Sequence, residues 1–118
     1  ELAQHMKKEE LILFPAIKRL ALVDRGEAVY QTPHFGSVAN PINMMEMEHE
    51  SAGGGLDHIR TLANNFTLPE GACMSYWQTY QLLDAYEKDL HVHVHLENNL
   101  LFPKAIALES QLTQMQHV

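Results

Sequence analysis

Apolar residues recur at helical spacing along most of the chain and predict three long helices, over residues 2–20, 40–65 and 67–101. A stretch rich in glycine, proline and polar residues separates the first two and is expected to be a loop. The pattern predicts no strand pairs. We therefore expect an all-α fold in which the helices pack side by side.

The ends of the predicted helices carry recognisable signals. Asn40 is suited to cap the second helix, with Pro41 at its first position. Thr67 and Glu70 have the spacing of a capping box at the start of the third helix. These signals place the second helix start at residue 40 and the third close to residue 67.

Proline and glycine are expected to disturb these helices. Pro15 predicts a kink in the first helix, and Pro103 predicts another, with a short tail helix behind it. The three glycines at 53–55 cost about 2–3 kcal/mol relative to alanine in a helix. We expect close packing or a bend at that point.

The stretch "HVHVHLENNLLFP" at residues 91–103 alternates histidine and valine, a pattern that on its own favours a strand. It lies within a long helical pattern, and no neighbouring strand is predicted to pair with it. On a helix, His93 and Glu97 share one face. His91 and His95 share a nearly opposite face, so only one of the two pairs can point into a helical bundle.

A repeat indicates which face carries chemistry. The pattern H-x-x-x-E-x-x-x-x-F-P occurs at residues 5–15 and again at 93–103. One copy is a weak signal, but two copies with the same Phe-Pro ending predict two helices related by a pseudo-twofold axis. His5 and Glu9 are then expected to face His93 and Glu97.

Composition narrows the classes of partner. The 118 residues are 46% hydrophobic, as in a globular domain, and carry a net charge of −7, which disfavours nucleic acid and, more weakly, anionic membranes. No apolar run is long enough to span a membrane, and no signal peptide is recognisable. The single cysteine, Cys73, excludes an intrachain disulfide framework. We expect a cytoplasmic protein that binds neither nucleic acid nor membrane.

The paired motifs offer metal ligands of one kind. Imidazole and carboxylate donors suit iron, manganese or zinc, and no thiolate motif competes with them. A carboxylate can bridge two ions through its two oxygens, whereas an imidazole binds one. Two glutamates on facing helices can therefore span two metals, although ferritin-like bundles use the reverse order Glu-x-x-His.

Together with "MEMEHESAG" around His49, the two motifs resemble the hemerythrin-like domain, and most closely its "repair of iron centres" di-iron family. The resemblance covers essentially the whole chain and implies an up-down helical bundle that serves the repair of iron–sulfur clusters. It implies two non-haem iron ions bridged by the two glutamates, with an oxo bridge, and histidines as terminal ligands. The implied ligands are His5, Glu9, His49, His93 and Glu97.

The sequence also departs from that family. Its members have a further helix with another histidine ligand before the first motif, and a small domain with paired cysteines. We therefore expect residues 1–118 to form an N-terminally truncated hemerythrin-like domain with three long helices and an uncovered apolar seam. The missing helix and ligand are expected from a second copy, as in a homodimer, or from another chain or fragment.

Polar residues outside the implied ligand set are expected to have supporting roles or none. Glu46 and Asp57 are candidates to orient a ligand imidazole. No residue is assigned as catalytic, and none is assigned to bind an organic cofactor. His34 lies in the predicted loop, where it could fill a vacant metal position. The remaining histidines are expected to be ordinary or exposed polar residues: His58, His91, His95 and His117.

Three functions remain open from the sequence. The resemblance implies a di-iron protein that repairs iron–sulfur clusters damaged by oxidative or nitrosative stress, with damaged iron–sulfur proteins as clients. It would act as an iron donor or as a nitric oxide-reactive centre with redox activity, rather than as a classical enzyme. The second function is O2 or NO binding or sensing, and the third is a helical fragment without metal.

Overall fold

Three helical runs joined by two loops make up the structure, a computed structural model that describes residues 2–116. No strand occurs within these residues, which confirms the all-α prediction. The first and third runs each contain a short π-helical segment. In chain order the elements are α1 (Leu2–Lys8), π1 (Glu9–Leu13), α2 (Phe14–Asp24), α3 (Ala39–Leu62), α4 (Met74–Leu96), π2 (Glu97–Leu101) and α5 (Phe102–Gln116).

The third run, residues 74–116, is the longest part of the fold. At 1.5 Å per residue it extends about 65 Å, close to the 70 Å length of the molecule, which is 21 Å wide. α3 packs against α4, and α2 packs against α5. Because His49 contacts Asn98 while Arg60 contacts Glu87, α3 runs antiparallel to the third run. The arrangement is an up-down bundle of three long helices, as predicted.

The apolar core lies at one end of this bundle. Leu13 and Phe102 are completely buried in it, and the start of α3 closes it. In α4, by contrast, the one buried residue is Glu87, so this half of the third run has an uncovered apolar side. The large side chains exposed on α4 include Tyr76, Trp77, Leu82 and Tyr86.

No helix within residues 2–116 combines the length and hydropathy needed to cross a membrane.

The start of α3 differs from the prediction. The helix begins at Ala39, and Asn40 does not cap it. A carboxylate of α5 takes that role: Glu109 accepts hydrogen bonds from the Val38 N–H at 2.8 Å and from the Ser37 hydroxyl at 2.6 Å. The Asn40 prediction is wrong because Glu109, 71 positions after Val38, satisfies the helix end.

The end of α3 also comes earlier than predicted, at Leu62 rather than near residue 65. Asn64, Asn65 and Phe66 have φ angles of 52°, 57° and 59°, in the left-handed region. Consecutive left-handed residues cannot continue a right-handed helix. The chain therefore leaves α3 through a left-handed turn that the apolar spacing did not reveal.

The third run begins later than predicted, at Met74. Thr67 and Glu70 do not form a helix start, so the capping-box prediction is wrong. Glu70 lies instead in a turn that also contains Gly71 at φ 80°, a conformation that favours glycine. Its hydrogen bond from the Ala72 N–H to the Pro69 carbonyl closes a turn instead of opening a helix.

The glycines at 53–55 lie inside α3. A β-carbon added at any of the three would have no heavy atom within 4 Å. Of the two alternatives expected here, close packing is therefore wrong for the described chain, and a bend within the continuous helix stays a prediction.

Candidate metal centre

Five side chains from the three helical runs converge on one point between them. Each offers one nitrogen or oxygen atom, and these atoms all lie within 4.8 Å of one another. Four of the side chains are buried, and the fifth, that of His93, is 28% exposed. The structure thus brings together every residue predicted as a ligand, namely His5, Glu9, His49, His93 and Glu97. The ligand role itself remains a prediction.

The repeated motif places its histidine and its glutamate one turn apart. His5 lies in α1 and Glu9 opens π1, while His93 lies in the last turn of α4 and Glu97 opens π2. Residues four apart share a helix face, so each motif presents an imidazole and a carboxylate to the same point. His49 reaches that point from the middle of α3.

Both π segments end directly before a Phe-Pro pair. The Phe14 N–H donates to the Glu9 carbonyl, and the Phe102 N–H donates to the Glu97 carbonyl, each spanning five residues. The following proline has no N–H and would clash with the carbonyl four residues back in a regular α-helix. The predicted disturbance at each proline therefore takes the form of a wide turn, after which the helix continues.

In the second motif the wide turn directs two side chains inward. Glu97 and Phe102 are both buried, at 5% and 0% exposure, although they are five residues apart. On a regular α-helix such residues point about 140° away from each other. The Phe102 ring packs parallel to the His49 ring, with centroids 6.1 Å apart, and so forms one wall of the cluster.

The two oxygens of Glu9 face different histidines. Its Oε1 lies 2.9 Å from His5 Nε2 and 3.6 Å from His49 Nε2, whereas its Oε2 lies 3.4 Å from His93 Nε2. Oε1 of Glu97 contacts His93 Nε2 and lies 3.8 Å from His49 Nε2. A carboxylate whose oxygens face separate imidazoles is placed to bridge two ions.

Two further residues contact the buried imidazoles of His5 and His49 at Nδ1, on the side away from the cluster. Glu48 Oε1 lies 2.9 Å from His5 Nδ1, and its Oε2 accepts a hydrogen bond from Lys8 at 2.7 Å. Asn98 Oδ1 lies 3.0 Å from His49 Nδ1. Both partners are acceptors, so each ring can donate from Nδ1 and present Nε2 to the cluster.

These outer partners are not the ones predicted from the sequence. Glu46 and Asp57 form no hydrogen bond to a ligand histidine among the side chains the structure describes. Glu48 and Asn98 directly adjoin His49 and Glu97 in the sequence, which is the only local signal of their role. Their function depends on contacts with residues 43 and 49 positions away.

The two carboxyl groups have opposite pKa shifts. Burial raises the pKa of Glu97 to about 9, and the neighbouring Glu9 carboxylate acts in the same direction. Burial would also raise the pKa of Glu9, but the His49 and Glu97 side chains and the charges of His5 and His93 outweigh it and lower that pKa to about 2. Without a cation, the pair therefore holds one proton at neutral pH.

Several polar atoms in this cluster are buried and in close contact with one another, yet none of them makes a hydrogen bond of good geometry. They are both oxygens of Glu9, both oxygens of Glu97 and Nε2 of His93. Unpaired buried acceptors are costly, and a cation at their centre would satisfy them together. Three imidazoles and two carboxylates, with Cys73 exposed elsewhere, fit a non-haem di-iron site.

The other histidines lie apart from the cluster. His91 and His95 are exposed on α4, as predicted, and His95 accepts a hydrogen bond from Asn99. His34 and His58 are exposed, and neither reaches the five converging side chains. His117 lies outside the described residues. Within residues 2–116, no second group of three potential metal ligands is found.

Comparison with known proteins agrees with this geometry. The hemerythrin HHE cation binding domain matches residues 1–105. Proteins named iron-sulfur cluster repair protein YtfE, from Yersinia pestis strain Pestoides F and Yersinia pseudotuberculosis serotype O:1b, are 45% identical over 107 residues. The match covers 90% of this chain and 42% of each relative. The chain thus spans well under half the length of these relatives, and it belongs to the hemerythrin HHE cation-binding domain family.

Proposed function

We propose that this chain binds two iron ions and acts in the repair of iron–sulfur clusters damaged by oxidative or nitrosative stress. The observation that carries the proposal is the group of unpaired, buried donor atoms that converge from three helical runs. The names of the Yersinia relatives support the repair role. Residues 1–118 would form a single domain for this purpose.

Different residues would bind each of the two ions, on either side of Glu9. His5 and His49 present Nε2 toward Oε1 of Glu9, and His93 with Glu97 lies toward Oε2 of Glu9. Bound iron supplies a redox-active cation that can bind small ligands or leave the protein. The two carboxylates offset part of its charge, and burial of four of the five side chains limits access of water.

Within residues 2–116, five side chains would hold the two ions. This number would leave room for solvent or other ligands. This low number of protein ligands suits an iron donor or a nitric oxide-reactive centre. It suits a tightly closed structural site less well.

The proposal is tested by metal content and iron transfer. Freshly purified protein is expected to hold about two irons per chain, as in bridged two-metal bundles. The loaded protein is expected to restore activity to an iron–sulfur enzyme whose cluster has been damaged. Glu97→Ala should abolish both iron retention and transfer, while Glu10→Ala, which removes an exposed carboxylate, should change neither. Iron near zero after anaerobic Fe(II) addition would contradict the proposal.

A second candidate function is O2 or NO binding or sensing. An apolar pocket of about 300 Å³ is lined by Leu13 and Met45, one helical turn from Glu9 and His49. A pocket of this size and character can hold a small uncharged molecule. A stable oxygenated spectrum of the iron-loaded protein, without iron transfer, would favour this function over repair.

The partners belong to the same proposal. Damaged iron–sulfur proteins would be the clients, in the cytoplasm, and the net charge of −7 argues against nucleic acid. The exposed side of α4, where Leu82 is 72% exposed, suits a helix supplied by a second copy or by another chain. Light scattering is expected to report a homodimer or a complex; a monodisperse monomer would contradict this part.

A further inference from the structure

The five converging side chains form two unequal groups around Glu9. The first group consists of His5 and His49, whose Nε2 atoms lie 3.1 Å apart and on the side of Glu9 Oε1. The second group consists of His93, which lies toward Glu9 Oε2, and Glu97, whose Oε1 contacts His93 Nε2 and lies farther, at 3.8 Å, from His49 Nε2. We call the corresponding metal positions the first and the second position.

The first position is supported from outside on both histidines. Each ring is at most 4% exposed, and each Nδ1 has an acceptor, Glu48 or Asn98. Lys8 in turn holds Glu48. The ring orientation that presents Nε2 is therefore fixed before an ion arrives, which lowers the entropy lost on binding.

The second position lacks this support. Among residues 2–116, His93 is the one histidine at this position, with a side chain that is 28% exposed. No described residue forms a hydrogen bond with His93 Nδ1. Within residues 2–116, the side of α4 that leads to it exposes Leu82 and Tyr86. An ion here would have none of the two outer orienting contacts found at the first position, and an easier path to solvent.

We propose that the two metal positions have different affinities, so that the position of His93 and Glu97 fills last and releases its iron first. Glu48 and Asn98 act as positioning residues for the tight position. This inference rests on the proposed two-iron site and deepens it, because it identifies which ion is available for transfer. Loss of such an outer partner weakens metal binding by about 10–100-fold in other metal sites.

The test is a stepwise anaerobic titration of metal-free protein with Fe(II), in competition with a chromogenic chelator. Two binding steps that differ by at least about tenfold in affinity are expected, the size of one lost outer contact. His93→Ala should remove the weak step and keep the tight one. Asn98→Ala should weaken the tight step, and Asn98→Asp, which keeps the acceptor, should largely restore it.

A matched control is available next to Asn98. Asn99 is exposed and contacts His95, outside the cluster, so Asn99→Ala should leave both steps unchanged. Circular dichroism on each variant separates loss of binding from loss of fold. The visible spectrum of the loaded protein after oxidation by air, without chelator, provides a second readout, which a merely structural role of Asn98 would not change.

The outcomes separate this inference from the function it rests on. Two equal steps in the unaltered protein would overturn the inference and leave the two-iron proposal standing. Loss of the tight step in folded His93→Ala would also overturn it, because the assignment of positions would then be reversed. Absence of any iron binding would contradict the proposed function itself.

Discussion

His5 Nε2 and His49 Nε2 lie 3.1 Å apart, although the two rings come from different helices. Each ring already faces an acceptor at Nδ1, Glu48 for His5 and Asn98 for His49. Two ring nitrogens therefore face each other across this gap at hydrogen-bond distance. A shared proton or a cation is needed between them, which makes this contact the clearest sign that the centre is built for positive charge.

The metal-free protein should become less stable as the pH rises above about 4.5. The pKa of Glu97 is raised from its ordinary value of 4.5 to about 9, so between these values the folded chain holds a proton that the unfolded chain releases. The stability linked to Glu97 is therefore complete below 4.5 and is lost as the pH approaches 9. Urea unfolding of metal-free protein between about pH 5 and about pH 8 measures this slope.

Glu9 has the opposite effect on the stability of the metal-free protein, and this effect appears at lower pH. Its pKa is lowered to about 2, so its contribution is present above 4.5 and lost as the pH falls toward 2. The pair together predicts greatest stability near pH 4.5. Glu97→Gln should flatten the slope above that pH. A metal-free protein that gains stability between about pH 5 and about pH 8, with Glu97 intact, would contradict this account.

The equivalent phenylalanines of the two motifs should differ in their contribution to stability. Phe102 is completely buried against His49, whereas Phe14 is 36% exposed. Phe102→Ala should cost about 3–5 kcal/mol, the usual range for a buried phenylalanine, and Phe14→Ala about 1 kcal/mol. Chemical denaturation of both variants measures the difference; equal losses would mean that the two motifs are packed alike.

Removal of the Glu109 carboxylate should destabilise the start of α3. Glu109 is 7% exposed and accepts from the Val38 N–H and the Ser37 hydroxyl. Glu109→Ala leaves a buried N–H without a partner and should cost about 1–3 kcal/mol. Ser110→Ala, at the exposed neighbouring position, is the control and should cost little. Hydrogen exchange at residues 38–42 would localise the effect.

Gly54→Ala should stabilise the isolated chain by about 0.5–1 kcal/mol, because it removes backbone freedom from a helix interior. An added methyl group at this position meets no other atom. The same variant tests for a covering helix. If Gly54→Ala lowers stability or weakens an oligomer, another chain must lie against this surface of α3.

The sequence was sufficient to locate the five converging side chains. The spacing of His5 and Glu9, repeated at His93 and Glu97, is a property of single helices, and a helix face follows directly from residue spacing. His49 could be found only through the resemblance, since one histidine in an acidic stretch carries no spacing signal.

The missed features are tertiary contacts. Glu48, Asn98 and Glu109 each act on a residue more than 40 positions away, so no local pattern marks them. The Asn40 cap was predicted by local propensity, and the distant Glu109 overrides it. Equally, the motif could not show that Phe102 is buried while Phe14 is not, because this depends on which element packs over each.

Two contacts with the third run fix the position of α3 along the bundle axis. Asn98 meets His49 in the middle of α3, and Glu109 meets Val38 at its start. With two fixed points on one continuous helix, α3 cannot slide along its neighbour without breaking both. These two contacts thereby fix the level along the bundle at which His49 meets His93, and they do so without an ion. The protein can therefore lose its metal and keep the same arrangement of side chains for the next ion.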